Sequence, residues 1–312
     1  MIYPWQTSVW HSVQQALQAE HLPHALLFTG ETGCGHEVFL QSLAQSLLCL
    51  TPSVEGFACG QCRSCQVYKA QSHPDFMAIG LQDERQAIVI EQIRELIYFL
   101  NLSRSYSPRR VVSLYPAERM NSNAANSLLK SLEEPSANTH LLLLTANPAS
   151  LLPTIRSRCQ VLRLPLPSTE QALTFLQTQS ISQPLDELLA LAHGRPLAAL
   201  ALANGDSLNK RQQWLTHLQQ IAQGQGNIVE ISAYWEKYDK NSLLDWQFDY
   251  LLNQLKQSYQ AAAPLSGQTL HPLINPTKIW RIYEDLLELK KRVNHPLNSR
   301  AFIEAQLMAW AA

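Results

Sequence analysis

Residues 24–37 constrain this chain more than any other stretch. They read His-Ala-Leu-Leu-Phe-Thr-Gly-Glu-Thr-Gly-Cys-Gly-His-Glu: a short apolar strand, Gly30, four residues, Gly35, and the start of a helical pattern. That is the layout of a phosphate-binding loop, in which backbone N–H groups curl around phosphates at a helix N-terminus. In a working loop the next two residues are Lys and then Ser or Thr. Here they are His36 and Glu37.

Both replacements work against a nucleotide. A triphosphate site needs a permanent cation on the β- and γ-phosphates and a hydroxyl on Mg²⁺. His36 is shorter than lysine and mostly neutral at about pH 7. Glu37 puts a carboxylate where triphosphate charge would sit, a repulsion of roughly several kcal/mol if water is excluded. The metal-binding strand is altered as well. After Val111-Val112-Ser113-Leu114 an aspartate is required, and the chain has Tyr115. Glu118 lies three positions further on and is expected to be a solvated surface charge. Three required groups are missing at two separated places, which predicts an ATPase scaffold without hydrolysis: a partner within an ATPase assembly.

The pattern around the loop fits that scaffold. His24–Thr29, Phe76–Gly80, Arg110–Tyr115, His140–Thr145 and Gln160–Leu164 are short, apolar and bounded by turn residues, with helical patterns between them. Across residues 121–132, Ala125, Leu128, Leu129 and Leu132 recur at helical spacing, with Asn121 as N-cap and Pro135 as stop. This alternation predicts a parallel sheet covered by helices, with ligand sites at the carboxyl ends of the strands. Strand signals cease near Pro165-Leu166-Pro167. Helices are expected from Ser168-Thr169-Glu170, from Leu185 and from Pro196, ending near Gly205, and again from about Leu208 onward. Leu244, Phe248, Leu251, Leu252 and Leu255 form one stripe; Ile279, Ile282, Tyr283, Leu286 and Leu287 form a second; Ile303, Leu307 and Trp310 form a third. Ala261–Pro276 carries three prolines and reads as a loop. The expected division is an α/β domain over 1–165, a small helical domain over 166–207 and a helical domain over 208–312.

Composition narrows the function. The chain has 312 residues, 46% of them hydrophobic and 16% charged, with a formal net charge of −1. Two or three domains can each bury a core at that length. The charge excludes a global field for nucleic acid, so any DNA contact is local or supplied by a partner. No apolar run reaches the roughly 18 residues of a membrane span, and Met1-Ile2-Tyr3-Pro4-Trp5 lacks the features of a secretory signal. The expected location is cytoplasmic, where six cysteines point to metal or reduced thiols rather than disulfides.

Four of them, Cys49, Cys59, Cys62 and Cys65, are spaced to converge on one ion. The segment Thr51–Gly60 carries Pro52, Gly56 and Gly60 and has little apolar content for a core of its own. Structural zinc at all four sulfurs, with no position open for catalytic water, is the first expectation. The alternatives are an iron–sulfur centre, whose usual cysteine three residues further on is missing, and free thiols. Cys34 and Cys159 are expected to be small buried residues.

Two further segments carry a resemblance. Asn123-Ala124-Ala125-Asn126-Ser127-Leu128-Leu129-Lys130-Ser131-Leu132-Glu133-Glu134-Pro135 and Thr154-Ile155-Arg156-Ser157-Arg158-Cys159 resemble segments of the AAA+ clamp-loader subunits of bacterial DNA polymerase III. The resemblance is strong over about residues 20–165 and rests beyond that on domain order and helical character. It implies an AAA+ P-loop domain, a helical lid and an all-α collar that joins subunits into a ring. Such a ring loads a sliding clamp onto primed DNA with ATP bound by its neighbours. It implies further that this chain does not use ATP in cis, and that Arg158, flanked by Ser157 and Cys159, reaches the ATP of an adjacent subunit. A guanidinium is always charged and can fork onto γ-phosphate oxygens. Implied partners are the ATP-binding tau/gamma subunits and the delta subunit, with clamp and primer–template DNA met through the complex. Arg156 is expected at a surface or interface. Asn147, where the family keeps a polar sensor, is expected to cap the helix near Pro148. The register of a second sensor arginine lands on Leu197, so Arg195 replaces it poorly.

Two other readings compete. An active hydrolase with an altered loop would turn over ATP as a purified chain. A zinc-dependent module binding DNA alone would show salt-sensitive DNA binding, which the near-zero charge and the lack of an aromatic–basic strip oppose.

Overall fold

A computed structural model of the chain describes residues 2–82, 86–261, 276–293 and 298–311. Two units divide it, Met1–Ala201 and Leu202–Ala312.

The first unit runs α1 (Thr7–Gln18), β1 (Ala25–Thr29), α2 (His36–Leu48), α3 (Arg63–Lys69), β2 (Phe76–Ile79), α4 (Ile90–Asn101), β3 (Arg110–Leu114), α5 (Ser122–Glu133), β4 (Thr139–Thr145), α6 (Pro153–Arg156), β5 (Gln160–Arg163), α7 (Thr169–Gln177), α8 (Leu185–Leu191) and α9 (Pro196–Asn204), the division falling within α9. All five expected strands form, each within a residue of its sequence bounds. They make one sheet in the order β2-β3-β4-β1-β5, and every pairing is parallel. This is the parallel α/β sheet expected of a P-loop AAA+ fold. β4 is buried along its whole length, and its leucines alternate. Leu141 and Leu143 face a core with α4 and α5, whereas Leu142 and Leu144 face a second core with α1 and α2. A strand covered on both faces reads as a continuous apolar run for this reason.

The helix ends follow local chemistry. Asn121 Oδ1 accepts from the Ala124 N–H at 2.8 Å at the start of α5, and α5 stops two residues before Pro135. Ser168 caps α7, with Gln171 answering it in a reciprocal capping box.

The second unit comprises α10 (Ser207–Ala222), α11 (Ile228–Trp235), α12 (Lys240–Ala261), α13 (Pro276–Lys291) and α14 (Ser299–Ala311). Its core gathers Trp214, Trp235, Leu243, Leu251, Ile282 and Trp310. The third expected stripe, Ile303, Leu307 and Trp310, is wholly buried. The first two need correction: Leu252 and Leu287 stay 38% and 40% exposed. Each stands eight residues after the first member of its stripe. At 3.6 residues per turn that step rotates it by about 80°, to the margin of the buried face. The loop expected over 261–276 lies outside the described residues except at its ends, which close α12 and open α13.

Four histidines, His36, His73, His140 and His217, are held below the ordinary imidazole value, each chiefly by burial. His140, at the start of β4, is lowered to about 4, with Arg109 and His24 adding to the effect and a bond to Pro23 O opposing it. Unfolding frees these rings to bind protons, so the unfolded chain holds more protons than the native one from pH 6.5 down to about 4. Stability is therefore expected to fall with acidification across that window, at up to about 1.4 kcal/mol per pH unit for His140 alone. Melting temperatures measured across it check the slope, and His140→Asn should flatten it.

Candidate functional site

The loop after β1 takes the shape of a phosphate cradle and is occupied by the chain itself. Gly33 and Gly35 both adopt left-handed backbone, with φ of 85° and 76°, and Gly35 is the N-cap of α2. The imidazole of His36, first residue of α2, folds back over the loop. A methyl group at Gly30 would lie 2.2 Å from its Cε1. The His36 ring is buried, and neither nitrogen has a hydrogen-bond partner. Burial lowers its proton affinity, so the ring offers bulk and no charge.

Two other elements press on the same glycines. A methyl group at Gly35 would meet the Tyr3 ring at 2.1 Å, and one at Gly33 would meet Ala198 Cβ at 2.8 Å. The turn at Pro4–Gln6 consumes loop carbonyls: Trp5 Nε1 donates to Cys34 O at 2.9 Å and Gln6 Nε2 to Gly35 O at 3.0 Å. From α9, the Leu197 N–H donates to Gly33 O at 3.0 Å. What remains is a pocket of about 240 Å³, lined among others by Thr32, His36, Glu37, Tyr115 and Leu197. Drug-sized ligands usually occupy about 300–1,000 Å³.

At the metal-binding position stands Tyr115. Its phenol is pushed up to about 12, first by burial and then by the nearby Glu37 carboxylate. Tyr115 and Glu37 thus stand together where a working site keeps the carboxylate and hydroxyl that hold magnesium. Glu118 is not the solvated charge that its sequence position suggested. It is half-buried, with Oε2 enclosed and unpartnered, because the short helix Ala117–Arg119 turns Ala117 into the core and draws its neighbour inward. Leu197 lines the pocket in the register of the sensor, while Arg195 Nε donates to Ala192 O at 2.8 Å within its own chain segment. Asn147 sits at the start of the Pro148–Ser150 turn, but its side chain makes no capping bond, a correction to its expected role; the turn is closed by its carbonyl instead.

Arg158 follows α6 at the opposite, amino-terminal edge of the sheet. Cys159 beside it is buried in the α4/α5 core and its thiol is pushed up to about 11 by that burial. Ser157 and Arg156 are exposed. The Arg158 guanidinium is engaged three ways. Nε donates to Glu133 Oε1 at 2.7 Å, NH2 contacts the same oxygen, and NH1 donates to Thr154 O at 3.1 Å.

The four cysteines do converge. Their sulfurs all lie within 4.8 Å of one another, so they can hold a metal ion. Cys49 closes α2, Cys62 caps α3, and Cys65 lies in the first turn of α3. Sγ separations of 3.6 Å for Cys49–Cys59 and 3.9 Å for Cys49–Cys62 bracket the ~3.8 Å edge of a tetrahedron with 2.3 Å metal–sulfur bonds. Backbone N–H groups of Cys59 and Cys62 point at Sγ of Cys49 and Cys59 from 3.3 Å. Such bonds steady thiolates. The Thr51 hydroxyl and the amides of Gln61 and Cys62 bring the Cys59 thiol down to about 5. Burial pushes Cys65 up to about 12, so a metal must displace its proton. The insert also has an anchor that its composition concealed: Trp10 stacks on Phe57 with centroids 4.5 Å apart and donates to Glu55 O at 3.0 Å.

Beneath it, Ser64, His73 and Asp75 have the residue types of a hydrolytic triad but not its arrangement. His73 Nδ1 accepts from the Asp75 backbone N–H rather than donating to the carboxylate, and Ser64 is buried. The Asp75 carboxylate instead accepts the N–H groups of Ser105, Tyr106 and Ser107. This network fastens α3 and the 105–107 loop to the sheet.

Known proteins resemble the chain as a whole. The family described as "DNA polymerase III, delta subunit" matches residues 5–168. DNA polymerase III subunit delta' of Pseudomonas aeruginosa is 35% identical, covering 100% of this chain and 98% of its own length. Its counterpart in Haemophilus influenzae is 32% identical over 83% of this chain and 79% of its own. A solved DNA polymerase III gamma subunit-related protein of Thermotoga maritima is 19% identical over 96% of this chain and 98% of its own, with a TM-score of 0.49.

Proposed function

Because this chain belongs to the family of DNA polymerase III delta-prime subunits, we propose that it is the clamp-loader subunit that hydrolyses no ATP of its own and serves a neighbour's site instead. The observation that carries the reading is the filled cradle. Tyr3, His36 and Ala198 each lie against a different glycine of the loop, and Glu37 with Tyr115 takes the place of the metal and hydroxyl ligands. A loop without a cation, a magnesium ligand or room has no means of stabilising phosphoryl transfer.

In this reading Arg158 supplies the missing positive charge to the ATP of an adjacent tau/gamma subunit. The delta subunit completes the hetero-oligomer, and the assembly brings the sliding clamp to primer–template DNA in the cytoplasm. Residues 166–207 act as lid and 208–312 as collar. The protein contributes to polymerase holoenzyme activity without being an enzyme by itself. The ion at Cys49, Cys59, Cys62 and Cys65 is zinc: it accepts four thiolates tetrahedrally and performs no redox chemistry. Its role is to hold the insert.

The purified chain tests the first half. It is expected to show no ATP turnover and no binding of Mg·ATP or Mg·ADP by calorimetry at millimolar nucleotide. Turnover that follows the chain through purification would establish the active hydrolase instead.

A further inference from the structure

If Arg158 serves a neighbour's ATP, its guanidinium must be held ready before the nucleotide arrives. We infer that Glu133 is the positioning residue that aims it, an inference that rests on the trans role proposed above. A guanidinium has five N–H donors in a rigid plane. In this chain the Nε–H and one NH2 hydrogen are turned to Glu133 Oε1, and one NH1 hydrogen to Thr154 O. One donor on each terminal nitrogen is left over. Those two remain available to phosphate oxygens, which a guanidinium can bind in pairs. The three internal contacts therefore fix the plane of the group and leave two donors unused.

The two holders are themselves rigid. Glu133 is the last residue of α5, which Asn121 caps and whose Ala124, Ala125, Leu128 and Leu132 are buried in the sheet core. Thr154 belongs to α6, pinned in the same core by Ile155. A free arginine side chain samples many rotamers, and ordering it at the moment of reaction would slow that reaction. Fixing it beforehand removes this delay. The pair is too exposed to matter for folding: the side chains are 34% and 48% accessible, and such surface pairs contribute little stability. Positioning is the role left to it.

The test uses the complex reconstituted with the ATP-binding subunits, reading the single-turnover rate of hydrolysis at the site facing this subunit and its dependence on ATP concentration, with assembly checked by mass. Glu133→Ala is expected to lower that single-turnover rate by about tenfold, with the ATP concentration giving half the maximal rate and the assembly unchanged. Glu133→Gln keeps an oxygen for the Nε–H and should recover most of the loss. The double variant with Arg158→Ala should be no slower than Arg158→Ala alone, since both act through one group. Unchanged or faster turnover in Glu133→Ala, or additive slowing in the double variant, would overturn the inference while leaving the trans role of Arg158 intact. Full turnover in Arg158→Ala would remove that role and this inference with it.

Discussion

Arg158→Ala is expected to leave the reconstituted complex assembled and to slow ATP hydrolysis at the site facing this subunit by about a thousandfold or more. The size follows from chemistry. Charge in the phosphoryl-transfer transition state spreads over the equatorial oxygens, and a guanidinium supplied in trans stabilises it at a point where water cannot. Arg158→Lys should recover little, because an ammonium cannot fork onto two oxygens. Single-turnover measurement is the suitable readout, since sites that do not face Arg158 continue to cycle and would mask the loss in a steady-state average. The substitution removes the Glu133 pair and one bond to Thr154 O, neither of them in the core, so melting temperature should barely move. A normal single-turnover rate in an intact complex would refute the assignment.

The second large effect is expected from the cysteines. Cys62→Ser, or chelation of the wild-type chain, should empty the metal site and loosen residues 58–65. Structural zinc contributes apparent binding energies of about 10–16 kcal/mol in small zinc-dependent folds. Less of it is at stake here, because Trp10 and Phe57 hold the preceding segment and the His73 network holds α3 from below. Hydrogen exchange should therefore show lost protection around Cys59 and Cys62, with residues 53–57 and the sheet little changed. Metal content by absorption spectroscopy should fall from one ion per chain to none. ATP affinity of the assembled complex should stay the same. Retained metal in Cys62→Ser, or weakened ATP binding after its loss, would contradict a purely structural ion.

Much of the first unit could be read from the sequence because its signals are local. Each strand is a short apolar run between turn residues, and β4 is apolar on both faces because both faces are covered. Asn121, Ser168 and Pro135 mark helix ends by chemistry that acts over three or four residues. The cysteine spacing converges because two of its ligands bracket the start of α3. What escaped the sequence depends on distance along the chain. Tyr3 and Ala198 reach the phosphate loop from positions roughly 30 and 165 residues away, and no local pattern reports that encounter. Glu133 lies 25 residues before Arg158. Glu118 looked solvated because it stands three positions past the metal-binding place, beyond the end of the strand; the turn that buries Ala117 decided otherwise. Leu252 and Leu287 were misplaced for a simpler reason, since a stripe drawn by spacing does not say where the buried arc ends.

The glycines of the phosphate loop are needed in this chain for a reason other than a bound phosphate. With His36, Tyr3 and Ala198 seated against Gly30, Gly35 and Gly33, none can acquire a side chain without displacing a ring or a helix. The motif is thus maintained by the stopper rather than by the cargo. Reinstating a lysine at position 36 would free only one of three blocked places and would leave Tyr115 without a carboxylate to offer magnesium. On the reading proposed above, hydrolysis could return only through several concerted changes, so the site works as a ratchet.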